Sequence, residues 1–407
     1  MPFLILFYLL VSILITFLFR SENRKYPLIS VSLLLISFIS LELLGVLLLL
    51  SFIDVLNFQR AISHKASFYL GIVIIVLAFY VFSIKPVVVD LVFLSFNLLS
   101  FSLPIIFFNR LNDYLYKNKF EQISDIFFSN LFFPRLFTPV ISKSCEERRL
   151  LINEMHFEAD SLKSGGKNLF VGFFVFFCIF MPGARYVESI ENVFLQTLSK
   201  GLLFTSFIYS IYDIGAGCLE VFSYRVFRNF DSPFASSGVL DFWKRWCVTF
   251  YNFSKSIQEK FFKKSNSLIA VFIAMTIQFI FFHSMLIFEK FSLSMGILFL
   301  ITTLFTPFRF FKRLVHKNKI IGLFLRGIST CLLLLSFGFS FNYKIGDGQS
   351  PNLDIGSGLI FFTSCLILFL YHYLQTKDRS ILSFFPKSKT FIGGLFILYI
   401  MMFGEFL

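Results

Sequence analysis

Charge is scarce in these 407 residues: Asp, Glu, Lys and Arg make up 15%, against about 25% in an ordinary soluble domain. Hydrophobic residues reach 57% and the mean hydropathy is +0.78, which excludes a typical soluble globular protein. The six cysteines (Cys145, Cys178, Cys218, Cys247, Cys331 and Cys365) include no CxxC pair and no regular interval. That excludes a disulfide framework and a zinc site; Cys178, Cys331 and Cys365 lie in apolar runs, where a thiol is a small hydrophobe. No positive charge precedes the opening run "MPFLILFYLLVSILITFLFR" and no small-residue cleavage site follows it. Residues 1–19 therefore predict a retained first span and not a cleaved signal peptide. Internal repeats of useful length are missing too, which weakens an inverted-repeat transporter and leaves one membrane domain over 1–407. Tryptophan is scarcest: two indoles, Trp243 and Trp246, stand against 64 phenylalanines.

What is abundant is apolar runs near the roughly 20 residues that a bilayer requires. They lie near 1–19, 28–53, 67–84, 87–108, 168–182, 194–222, 267–288, 292–308, 320–341, 356–374 and 389–405. The predicted fold class is an all-α polytopic membrane protein of about eleven transmembrane helices, with re-entrant and interfacial helices between some of them. The net charge of +13 resides mostly in the loops at 54–66, 109–167, 223–266, 309–319 and 375–388. That distribution orients a chain in a membrane, with these loops cytoplasmic, and argues against nucleic acid as the partner. The turn "RSENRKY" at 20–26 opposes this assignment. In "FFSNLFFPRLFTPVIS", Pro134 and Pro139 prevent one continuous helix and predict a re-entrant or interfacial segment.

Among the polar positions within the apolar runs are Glu42, Asp213, His283 and Arg326. A carboxylate at such depth is costly unless it faces protein or a wet cavity; Glu42 and Arg326 have a plain reading as residues that orient their helices. His283 is the one histidine of five that lies deep in a span, and Gln278 precedes it by five residues. An intramembrane imidazole is a functional candidate by default, and its plain alternative is a neutral bridge between helices. As one helix, 241–254 places Trp243, Trp246, Phe250 and Phe253 on one side, with Lys244, Arg245 and Thr249 elsewhere. That pattern predicts an interfacial amphipathic helix whose indoles anchor at the headgroup level.

The segments "NFDSPFASSGVLDFWKRWCVTF" (229–250) and "FFHS" (281–284) resemble the signature region of the membrane-bound O-acyltransferase family. The similarity is to its bacterial branch, which acylates cell-wall or secreted polysaccharides and includes alginate O-acetyltransferase-like and teichoic acid D-alanyl transfer-like members. Asn229, Phe230, Pro233, Asp241, Phe242, Trp243, Lys244, Arg245 and Trp246 fall in register with the family's pattern, and Thr249 stands where it has serine. Upstream, "YDIGAG" (212–217), with Asp213, and "FFPRLFTPVI" (132–141) resemble further family segments. The similarity covers roughly 130–290 in pieces and is most specific at 229–250. Three departures stand out: Cys247 in place of the first histidine, Phe282 in place of tryptophan, and Ser284 in place of glycine.

The resemblance implies an enzyme of the bacterial inner membrane that moves an acyl group, acetyl foremost, to a hydroxyl of an envelope or secreted glycan. No bound cofactor is implied; an acyl thioester, as acyl-coenzyme A or acyl-carrier protein, is the co-substrate. Partners are the lipid bilayer, the acyl donor, the glycan acceptor and a separate extracytoplasmic acyltransferase. His283 takes the role of general base, since the hydroxyl must lose a proton as it attacks the carbonyl. Gln278 and Ser284 are candidates by position for stabilising the oxyanion. Lys244 and Arg245 suit the phosphate-bearing arm of a donor. Three readings of Cys247 stay open: a packed apolar residue, a wall of the acceptor path, or an acyl-accepting thiolate, which needs a lowered thiol pKa. The competing reading is a catalytically degenerate scaffold or transporter on the same fold.

Overall fold

The computed structural model describes residues 25–84, 98–116, 122–136, 159–187, 189–221 and 239–262, and a scatter of single positions between 8 and 338. Every regular element among them is helical: α1 (Lys25–Ile39), α2 (Leu41–Phe58), α3 (His64–Ile84), α4 (Leu98–Tyr116), α5 (Ile123–Leu131) and α6 (Phe133–Leu136) come first. They are followed by α7 (Ala159–Val175), a π turn (Phe176–Phe180), α8 (Met181–Val187), α9 (Val193–Val221), α10 (Val239–Arg245) and α11 (Val248–Phe262). Among the described residues, three helical stretches are long and apolar enough to cross a membrane: Leu41–Phe58, Asp160–Ala184 and Val193–Val221. The all-α membrane class follows from these three. Nearly all of the predicted spans from 267 onward lie outside the described residues.

The apolar run 28–53 differs from the single span expected of it. It is two helices, α1 and α2, parted at Ser40, whose backbone is extended (φ −160°, ψ 112°). Ser40 Oγ accepts the Leu43 N–H at 3.0 Å and donates to Glu42 Oε2 at 3.0 Å. Serine is a strong helix N-cap because its hydroxyl satisfies one of the four N–H groups that a helix start leaves unpaired. A hydropathy pattern does not register that cap, since one serine barely lowers the average. Glu42 consequently stands at a helix start and not in mid-helix: it is exposed, in the first turn of α2, where the helix dipole favours a carboxylate.

The chain divides into two compact units, 1–170 with 211–227 and 276–286, and 171–210 with 228–275 and 287–407. In the first unit α2 packs on α1, α3 and α5, and α3 packs on α4. The buried side of α2 is Leu43, Leu47, Leu50, Ser51 and Ile53, while Leu41, Leu48, Leu49 and Phe52 are exposed. An outward side made of leucine and phenylalanine is what lipid accepts and water does not. The break between α5 and α6 falls at Phe132, two residues before the expected disruption at Pro134. Ser32 Oγ on α1 accepts the Phe133 N–H there at 3.3 Å. Gly165 on α7 and Gly217 on α9 lie against each other's helix so closely that a Cβ on Gly165 would be 2.8 Å from the Gly217 carbonyl oxygen. That close approach requires glycine at both positions.

In the second unit the helix from α7 passes into α8 through the π turn, where the Met181 N–H reaches back to the Phe176 carbonyl. Phe180 in that turn packs on Phe207 of α9, with ring centroids 4.9 Å apart. A one-residue expansion of this kind re-aims the side chains that follow it, and apolar sequence alone carries no sign of it.

Candidate functional site

The expected single helix over 241–254 is two helices, α10 and α11, meeting at a bend at Trp246 and Cys247. Cys247 has φ 52°, the left-handed region that costs a side-chain-bearing residue about 1–2 kcal/mol. The segment 229–231 holds both sides of the bend. The Asp231 N–H donates to the Arg245 carbonyl at 2.9 Å, closing the end of α10. The Asn229 carbonyl accepts the Val248 N–H at 2.7 Å, and its side-chain Oδ1 accepts the Thr249 N–H at 3.1 Å and the Thr249 hydroxyl at 2.8 Å. Asn229 is 0% exposed. It supplies from eighteen residues upstream of Cys247 the cap that an ordinary helix takes from its own N-cap residue. A helix broken in this way gains a fixed corner, and the strain at Cys247 is held by the three acceptor contacts of Asn229.

The indoles are not headgroup anchors. Trp243 and Trp246 are both 0% exposed, and Phe250 and Phe253, the other members of the expected outward stripe, are buried as well. Trp246 lies among Phe230 (4.9 Å between centroids), Phe242 (5.5 Å, stacked) and Tyr209 (5.9 Å, edge-on); Phe230 also stacks on Tyr209 at 4.2 Å. Amphipathic periodicity places these rings on one side correctly, but the partner of that side is protein and not lipid. Aromatic groups of this size bury enough area to fix the corner's position on α9.

Cys247 Sγ belongs to a residue 2% exposed, and burial pushes the thiol pKa up. A nucleophilic thiolate needs the opposite shift. The cations expected to lower it are engaged differently: Arg245 Nε pairs with Asp241 Oδ1 at 3.2 Å and its Nη1 lies 3.9 Å from Asp231 Oδ2. Of the three readings of Cys247, the acyl-accepting thiolate is the one that the geometry removes. Lys244 is half-buried on α10.

The structure brings Asn229, Pro233, Trp243, Lys244, Arg245, Trp246, Cys247 and Thr249 together in the second unit. Asp213, half-buried on α9, belongs to the first unit. Gln278, His283 and Ser284 lie outside the described residues.

A buried polar cluster in the first unit was not foreseen. Arg110 on α4 makes a two-pronged pair with Asp54 on α2, Nη1 to Oδ2 at 2.9 Å and Nη2 to Oδ1 at 2.8 Å. Asn130 on α5 donates to Asp54 Oδ2 at 3.1 Å and to Ser51 Oγ at 3.2 Å, and Arg110 also reaches the Ser67 carbonyl at 3.2 Å. The pair bonds four helices through charge-assisted contacts, the strong class. Its sequence sign is a carboxylate directly after one apolar run and a guanidinium two residues past another.

No family model matches the chain, and no curated protein matches it either.

Proposed function

We propose that the chain is a membrane-bound O-acyltransferase with about eleven spans. It transfers an acyl group, acetyl foremost, from acyl-coenzyme A or an acyl-carrier protein to a hydroxyl of an envelope or secreted glycan. His283 acts as general base: it takes the acceptor's hydroxyl proton as the oxygen attacks the thioester carbonyl, and it returns that proton to the thiolate expelled as the C–S bond breaks. At its ordinary pKa near 6.5 an imidazole is largely neutral at pH 7 and able to accept that proton. Gln278 and Ser284 donate to the developing oxyanion. The enzyme lies in a bacterial cytoplasmic membrane, where a separate extracytoplasmic acyltransferase receives or completes the transfer.

The observation that carries this reading is the corner at 229–250. The residues whose register resembles the acyltransferase signature (Asn229, Trp243, Trp246) are the fully buried ones that hold the bend. Their spacing therefore serves a tertiary construction, which a lipid anchor has no need of. His283→Ala is expected to abolish ester transfer to envelope polysaccharide while the protein still inserts and folds. Full activity in that variant would remove the base assignment. A second reading, a degenerate scaffold or transporter on the same fold, is favoured by one observation. The position that resembles the family's first histidine holds a buried thiol, Cys247, which accepts no proton as imidazole does. Ester-linked acyl groups on surface glycans that persist unchanged after deletion of the gene would select that reading.

A further inference from the structure

The first unit contains an open cavity of about 830 Å³ at the end of α2 and the start of α3, lined also by residues of α4, α5 and α6. One wall is apolar, with Phe58, Phe68, Ile105, Ile106 and Leu136. The lining also carries charge: Arg60, Arg110 and Arg135, Asp54 and Asp113, and the imidazole of His64. These charges are not equally available. Arg110 and Asp54 satisfy one another, and Arg135 donates to Ser129 Oγ at 2.7 Å and to the Ser129 carbonyl at 3.0 Å.

Arg60 and His64 differ from that set. Arg60 is exposed and sits on the turn between α2 and α3 with φ 59°, a strained conformation that turns and ligand clamps retain. His64 stacks on Tyr114, with centroids 5.6 Å apart. Its Nε2 is buried with no hydrogen-bond partner among the described residues. A buried polar nitrogen without a partner is costly, and such atoms in a cavity wall mark where a ligand atom completes the bonding.

From these we infer that the cavity binds a phosphate-bearing ligand, its anionic group received by Arg60 and His64 and its apolar portion lying on the Phe58–Phe68–Ile105 wall. Phosphate suits the pair because guanidinium offers a planar fork and His64 offers one directed N–H. The apolar wall at the mouth of membrane helices favours an amphiphile over a small polar ion. The phosphate itself has two sources, a lipid headgroup and a free phosphate compound. The site is independent of the acyl-transfer reading and involves none of the residues assigned to it.

The test uses the full chain in detergent micelles with three probes: inorganic phosphate, dioctanoyl phosphatidic acid and dioctanoylglycerol, which lacks the phosphate. Saturable binding of the phosphatidic acid is expected, with about a tenfold weakening in Arg60→Ala and in His64→Phe, the loss of one charge-assisted bond each. Lys255→Ala, an exposed cation on α11, is expected to bind as the wild type does. Competition by inorganic phosphate at millimolar level would assign the site to free phosphate compounds, and its failure would assign it to a lipid headgroup. Absence of saturable phosphatidic acid binding, equal binding of the dioctanoylglycerol, or unchanged affinity in both variants would overturn the inference. Arg60 and His64 lie outside the Asp54–Arg110 pair, so a folded variant is expected in each case, and an unchanged melting temperature checks it.

Discussion

Removing the side chain of Asn229 is the sharpest perturbation of the corner at Cys247. Its Oδ1 accepts two hydrogen bonds, from the Thr249 N–H at 3.1 Å and the Thr249 hydroxyl at 2.8 Å, and all the groups concerned are buried. Losing a helix cap costs about 1 kcal/mol, and a buried donor left without a partner costs about 1–3 kcal/mol. Asn229→Ala is therefore expected to destabilise by about 2–4 kcal/mol. Thr249→Val keeps the shape and removes only the hydroxyl bond, about 1 kcal/mol. In Asn229→Ala/Thr249→Val that bond is lost once and not twice, so the two changes couple by about 1 kcal/mol. The assay is built into the chain, since its only two tryptophans are on α10 and at the bend. Native emission should be blue-shifted and poorly quenched by acrylamide, because both indoles are fully buried. Urea unfolding followed through that emission gives the four stabilities of the cycle. Additive losses, or an Asn229→Ala protein that unfolds at the wild-type midpoint, would refute the capping argument. An emission maximum near that of free tryptophan in the native protein would refute the burial itself.

In a variant retaining Cys247 as its sole cysteine, N-ethylmaleimide should label the folded protein negligibly at pH 8 and fully once denatured. Rapid native labelling would contradict its burial. Because the folded thiol pKa is raised, Cys247 contributes no penalty below the ordinary thiol value. Stability should then fall as pH rises past about 8.5, where the unfolded thiol ionises first, and Cys247→Ala should flatten that decline. Cys247→Gly removes the left-handed strain of about 1–2 kcal/mol, so it should be no less stable than Cys247→Ala despite its smaller side chain. The reverse order would deny that φ 52° is strained. Asp54→Asn strands the Arg110 guanidinium, at 10% side-chain exposure, and should destabilise by about 3–5 kcal/mol. A loss under 1 kcal/mol, about the size of a surface pair, would show that the pair is solvated.

The sequence by itself determined the class. A chain with 15% charge and apolar runs near bilayer length has no folded state in water that buries its side chains, so helices in lipid follow from composition. It also singled out 229–250 and 241–254 as segments with a specific arrangement, because paired indoles in register with Asn229 and Pro233 are rare against a background of phenylalanine. Periodicity placed Trp243, Trp246, Phe250 and Phe253 on one side correctly. It did not say what lies opposite, since a ring prefers lipid and a protein interior for the same physical reason. The breaks at Ser40 and Cys247 were decided elsewhere. One depends on a hydroxyl bonding three residues ahead, the other on Asn229 reaching twenty residues down the chain. The Asp54–Arg110 pair joins residues 56 apart. Local pattern carries information over a few helical turns, whereas caps and buried ion pairs depend on which distant group the tertiary structure brings within about 3 Å. Only the folded chain settles that.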